Sequence, residues 1–286
     1  MNTFHEFVER WIALLEEARR CPLGRAPFPP VVPPPPPSAP HAVLLSPHPD
    51  DECIMGTWAL RLKREAGWRV TNVCVTLGSN PARRTPRHNE LQNACRFLGI
   101  GCRLPKEGGL ENINPRAKAA NPTVWEAAVL TLAAVLREEK PTVLFVPHAG
   151  EANTTHQGVA ELTADALRQG ACPYSLWLIE TEFWAPIPKP NCLVETPPHL
   201  LGDQITALTF HVGEVSRNPY HLSLPAWMSD NVRRGSELVG GQGGAAATFP
   251  FGVLYRLRRW TGVRWDESEV PRRIMSARDR PDQPLL

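Results

Sequence analysis

From Ala42 onward, short apolar runs rich in β-branched residues alternate with longer segments of helical spacing. No other feature of the chain narrows the possible folds as much. Ala42–Leu45, Arg69–Leu77 (RVTNVCVTL), Val143–Pro147 (VLFVP) and Leu176–Phe183 (LWLIETEF) read as strands. Glu52–Glu65, Pro86–Leu98, Val124–Glu138 and Gln157–Arg168 read as the helices between them. Near-continuous apolar strands must be covered on both faces, and parallel neighbours need a crossover of helical length. The pattern therefore predicts an α/β fold: a mostly parallel sheet flanked by helices in Rossmann-like layers. In such open sheets ligands bind at the carboxyl ends of strands. Further on, Pro197–Val212 and Trp227–Val239 read as helices, and the run Gly240–Gly244 as a flexible loop.

The segments before Ala42 break this pattern. Residues 1–21 form an amphipathic helix in which Phe4, Phe7, Trp11, Leu14 and Leu15 recur at helical spacing, expected to dock on the core. Residues 22–41 carry the run Pro33–Pro37 and can be neither helix nor central strand, which makes them an extended linker or a surface strap. A single catalytic domain is expected over residues 42–275, with residues 276–286 as a flexible tail. The charge balance, 31 basic against 29 acidic residues, gives no reason to expect nucleic acid or a membrane surface as partner. No apolar run is long enough to span a bilayer, and there is no apolar core of signal-peptide type. The seven cysteines are scattered, odd in number and form no C-x-x-C pair, which points to reduced thiols and a cytoplasmic location.

The chemistry is concentrated in two loops. The first, Ser46-Pro47-His48-Pro49-Asp50-Asp51-Glu52, follows an apolar strand and opens a helix. Three carboxylates and an imidazole within five positions repel one another unless a cation or solvent screens them, and a histidine with a carboxylate is a donor set that suits zinc. The plainer reading makes Asp50 or Asp51 a helix cap and lets Glu52 favour the first turn. The second loop, His148-Ala149-Gly150-Glu151-Ala152-Asn153-Thr154-Thr155-His156, also lies between a strand and a helix, so both loops can meet at one sheet edge.

Pro47-His48-Pro49-Asp50-Asp51-Glu52 resembles the signature of the PIG-L/LmbE-type zinc de-N-acetylases, with supporting features out to about Gly170. The resemblance implies that the third metal ligand comes from the second loop, where His156 matches best. His48, Asp51 and His156 would then hold Zn2+ and leave a position open for water. Asp50, beside a ligand but not needed as one, is left to act as general base. The family commonly shows His-x-x-His in the second loop; here the first of those places is Asn153. Either Asn153 or His148 would then stabilise the oxyanion. Arg87 in Arg87-His88-Asn89-Glu90 resembles the family's substrate-holding arginine, and Glu52 joins it as a substrate-binding candidate. The implied activity is zinc-dependent removal of the acetyl group from an N-acetylglucosaminyl-type conjugate, a small molecule. The alternatives are a zinc hydrolase of another amide or ester, or a degenerate sugar-binding module. An oligomer clasped by the N-terminal helix and its proline segment is possible.

Overall fold

The computed structural model describes residues 3–243 and 246–286, so the last residue of the Gly240–Gly244 run lies outside the described residues. The chain opens with α1 (Thr3–Ala18), crosses an extended proline segment and enters the sheet at β1 (His41–Ser46). Then follow α2 (Asp51–Met55), α3 (Thr57–Ala66), β2 (Arg69–Cys74), α4 (Pro81–Leu98), β3 (Gly101–Arg103), α5 (Pro115–Ala120), α6 (Pro122–Glu139), β4 (Val143–Pro147), α7 (Thr154–Arg168) and β5 (Leu176–Thr181). The last third adds β6 (Cys192–Glu195), α8 (Pro198–Thr209), α9 (Val212–Val215), α10 (Tyr220–Leu238), β7 (Gly252–Trp260), β8 (Trp265–Asp266) and β9 (Arg273–Met275).

The strands form one sheet in the order β3-β2-β1-β4-β5-β7-β6-β9, with β8 paired to β7. β3, β2, β1, β4 and β5 run parallel to one another, whereas β7 runs antiparallel to both β5 and β6. The order reverses between β1 and β4, which start the two halves of the parallel region. This is the switch point at which open α/β sheets leave a crevice for ligands. Alternate residues of β1 serve opposite faces: Ala42 and Leu44 join one core cluster with Trp58, Leu91 and Tyr255, while Val43 and Leu45 join another with Leu132, Val159 and Leu162. All four β1 side chains have no exposure. Burying each of the larger ones is worth about 1.5–3 kcal/mol, which anchors the loop that leaves Ser46.

Three expectations are corrected. α4 begins at Pro81 rather than Pro86, because Asn80 caps it by accepting from the Ala82 N–H and Pro81 occupies the first turn, leaving Pro86 inside the helix. α1 does not dock on the core: none of its residues is buried. The residues from Ser276 onward do not form a loose tail. Trp58 Nε1 donates to the Pro281 carbonyl, Trp177 Nε1 to that of Leu285, and the fully buried Arg61 to those of Ser276 and Asp279. Tryptophan and arginine donors buried without partners are costly, and these carbonyls satisfy them. The proline segment is a strap: Phe28 stacks on Phe210 with ring centroids 5.3 Å apart, and the Arg96 guanidinium lies over the Phe28 ring, 4.2 Å from its centroid.

Candidate metal centre and active site

The first loop leaves the carboxyl end of β1 and the second leaves that of β4, so the strand order brings His48, Asp51 and His156 together. Asp51 Oδ2 accepts the His48 backbone N–H at 2.8 Å and lies 3.5 Å from His48 Nδ1 and 3.4 Å from His156 Nε2. The two imidazole rings are 5.3 Å apart, and Phe183 packs edge-on against His156 with centroids 4.7 Å apart. Both His156 nitrogens are buried and lack a hydrogen-bond partner. Such groups are normally satisfied, so two on one ring call for an unseen partner. Burial holds the His156 imidazole below its usual pKa and therefore neutral. Burial also pushes the Asp51 carboxyl up, but His156 and His48 outweigh it and keep its pKa low. A neutral imidazole beside an ionised carboxylate is the donor state a divalent cation requires, and the three donors lie within 4.8 Å of one another. The residues fit a metal.

Asp50 stands next to this set with a different environment. Its backbone has φ 117°, a region that costs a non-glycine residue strain. Its N–H donates to Glu52 Oε2 at 2.9 Å, its carboxylate accepts the Tyr220 hydroxyl at 2.5 Å, and Arg87 Nη2 is 3.8 Å away. Burial, and then the charge of Asp51, push the Asp50 carboxyl up to about 7. Arg87 is held in turn by the Pro49 carbonyl at 3.0 Å and by Glu214 at 3.6 Å. Gly78, at φ 88°, makes that placement possible: a Cβ there would meet Arg87 Nη1 at 2.5 Å.

Asn153 lines the cleft and also caps α7, its side-chain carbonyl accepting the Thr155 N–H at 2.8 Å. This cap starts α7 at Thr154, three residues before the expected Gln157, and puts His156 in its first turn. With the carbonyl engaged in the cap, the Asn153 NH2 group is left free to donate. His148 is not in the cleft lining. Its Nε2 donates to the Ala185 carbonyl at 3.0 Å, Glu151 Oε1 lies 3.2 Å away, and its Nδ1 accepts the Gly150 N–H. With both nitrogens engaged and the side chain 2% exposed, His148 is a strut at the end of β4 rather than an oxyanion donor. Glu52 is likewise not placed to touch substrate. It has no exposure; Oε1 is 2.7 Å from His211 Nε2 and Oε2 holds the Asp50 N–H. Glu52, Cys53 and His211 have ligand geometry of their own. Glu52 pairs with His211 through Nε2 and leaves His211 Nδ1 buried without a partner, and the contact ties α2 to the start of α9.

The sequence reading missed the other wall. Tyr220, Glu214, Arg217, Asn218 and Trp184 complete the cleft, a space of about 180 Å³. Glu214 is paired with Arg83 at 2.6 Å and Arg217 at 2.5 Å; these arginines and Arg87 overcome its burial and hold its carboxyl below the usual range. The spacing His211-x-x-Glu214-x-x-Arg217 was a visible signal of one polar helical face. A larger cleft of about 760 Å³ lies between Lys189, Arg256, Glu267 and Arg272. Among the described residues it holds no group of metal-ligand geometry.

The family described as PIG-L: GlcNAc-PI de-N-acetylase matches residues 43–167. No curated protein sequence matches the chain. Solved structures share its fold at low identity. N,N'-diacetylchitobiose deacetylase from Pyrococcus horikoshii superposes with a TM-score of 0.57 at 17% identity, over 90% of this chain and 94% of that one. The zinc-inhibited form of teicoplanin deacetylase Orf2 gives 0.55 at 13%, over 80% and 100%. GalB, the 4-carboxy-2-hydroxymuconate hydratase from Pseudomonas putida KT2440, gives 0.57 at 15%, over 76% and 95%. The same fold thus carries different reactions, and the site has to decide between them. The segment that matches the PIG-L family model, residues 43–167, holds His48, Asp50, Asp51, Arg87, Asn153 and His156, and the chain is similar to that family through it.

Proposed function

We propose that the protein is a zinc-dependent hydrolase that removes the acetyl group from an N-acetylated amino sugar carried on a small conjugate. The observation that supports this most is the division of labour between adjacent carboxylates: Asp51 faces His48 and His156, while Asp50 faces Tyr220 and Arg87 outside that ligand set. In such a site zinc supplies Lewis acidity, polarising a carbonyl and lowering the pKa of water from 15.7 to about 7. Asp50 takes the proton of the attacking water as its oxygen joins the acetyl carbon. The C–N bond then breaks, and Asp50 returns that proton to the departing nitrogen, leaving acetate and a free amine. The Tyr220 hydroxyl, kept protonated by burial and by Asp50, fixes the carboxylate that moves the proton. The Asn153 amide donates to the oxyanion, which makes it the working member of the Asn153/His148 pair. Arg87, Arg217 and Glu214 present donors and an acceptor to sugar hydroxyls. Among the described residues no helix is long and apolar enough to cross a membrane. The seven cysteines are all free, most of them buried, in keeping with a reducing compartment such as the cytoplasm.

The second reading, water chemistry on another substrate in the same metal site, is favoured by the hydratase among the structural neighbours. Acetate release from a panel of N-acetylglucosaminides, measured beside hydrolysis of acyl amino acids and esters, separates the two. Release from the sugars, abolished by chelation and by Asp50→Asn with the metal still bound, is the result expected here. Turnover of the other substrates alone would transfer the site to the second reading.

A further inference from the structure

The metal cleft does not end at Tyr220. A groove of about 280 Å³ lies on the other side of that residue, and it shares Asn218 and Tyr220 with the cleft. One wall is α1, through Trp11 and Leu15; the other is the start of α10, through Pro219, Leu222 and Ala226. The two spaces differ in chemistry. The cleft presents Asp50, Arg87, Glu214 and Arg217. The groove presents an indole, two leucines, a proline and an alanine, with Arg19 at its edge. Trp11 is 40% exposed, and α1 buries none of its residues, so nothing within the described chain covers this wall. Both groove walls lie outside the segment that matches the PIG-L family, residues 43–167.

We propose that this groove is the aglycone subsite: it holds an alkyl or aryl group attached to the amino sugar whose N-acetyl end enters the metal cleft. The assignment rests on the hydrolytic reading of the cleft and narrows its substrate class to conjugates with an apolar aglycone. Tyr220 joins the two spaces. Its hydroxyl is fixed on Asp50, its ring borders the groove, and Trp184 packs on it with centroids 6.4 Å apart. A ligand reaching across Tyr220 would exchange exposed apolar surface on both sides for contact, which gives binding that grows with chain length.

The test uses the full zinc-loaded chain and the methyl, butyl and octyl N-acetyl-β-D-glucosaminides. Binding is measured by calorimetry in an Asp50→Asn background, so that turnover does not intervene, and acetate release is measured with Asp50 intact. The expected result is binding that tightens along the series, by roughly tenfold or more from methyl to octyl. Trp11→Ala, which opens one wall, and Ala226→Phe, which fills the groove from the other, should each flatten the series and leave the methyl glycoside unchanged. Two surface variants on different elements guard against a misfolded α1. Equal binding of all three glycosides, or a graded series that neither variant flattens, would overturn the assignment. So would a flat series together with a dimer in light scattering that Trp11→Ala dissociates, since a second copy would then be what covers α1. Graded binding without acetate from any glycoside would defeat the hydrolytic reading and leave the subsite standing.

Discussion

Asp50 and Asp51 are chemically identical neighbours, and the account rests on their having different tasks. Asp50→Asn should keep the metal and lower kcat by about 10² or more, as loss of a general base does; acetate release with metal content measured on the same sample checks both halves. Glu52 and His211 act one step further back, through the Asp50 N–H. Glu52→Gln keeps the shape but gives up the charge that His211 faces. It should lower kcat with KM and zinc content little changed, and a KM effect instead would return Glu52 to substrate binding. His148 belongs to stability. Burial lowers its pKa, but Glu151 and the Ala185 carbonyl outweigh that and raise it above 6.5. A raised histidine contributes its stability fully below its unfolded pKa and loses it as pH rises through the folded value. His148→Gln should therefore cost more melting temperature at pH 6 than at pH 9. At this scale His48, Asp50, Asp51, Asn153 and His156 could be nominated because they stand in two short motifs between a strand and a helix, and Arg87 because it opens an Arg-x-x-Glu on a helix. Tyr220 was not, because a tyrosine opening a helix 170 residues from Asp50 carries no local mark of that contact.

The elements matter through their ends. α7 begins where Asn153 caps it, so one side chain both starts the helix and lines the cleft. Asn153→Ala should cost about 1 kcal/mol of stability as a lost cap. Asn153→Ser should restore the cap without the amide, so recovered melting temperature with unrecovered kcat would separate the two roles. Four strands, β1, β2, β4 and β5, were readable from apolar runs, but two helix starts were not, for physical reasons. Asn80 and Asn153 lengthened their helices at the amino end through cap hydrogen bonds that periodicity does not register. β7, Gly252–Trp260, was not read as a strand at all, because Arg256, Arg258 and Arg259 interrupt its apolar run, and nothing in it states that it lies antiparallel to β5. Amphipathic spacing in α1 predicted burial, yet it says only that one face is apolar, not what covers it.

Over the whole molecule, the order β2-β1-β4-β5 fixes the site: it places the ends of β1 and β4 side by side, and the later elements α9 and α10 close the cleft from above. The carboxyl-terminal residues, expected to be loose, hold this arrangement by satisfying Arg61, Trp58 and Trp177. The central claim is that the chain is folded around a metal position shared by two loops. The most direct test is elemental analysis of the purified protein beside His156→Ala, both kept from chelators. The account predicts about one zinc per chain in the wild type and its loss in a variant that remains folded. A wild type without transition metal, or a variant that keeps full zinc occupancy, would contradict it.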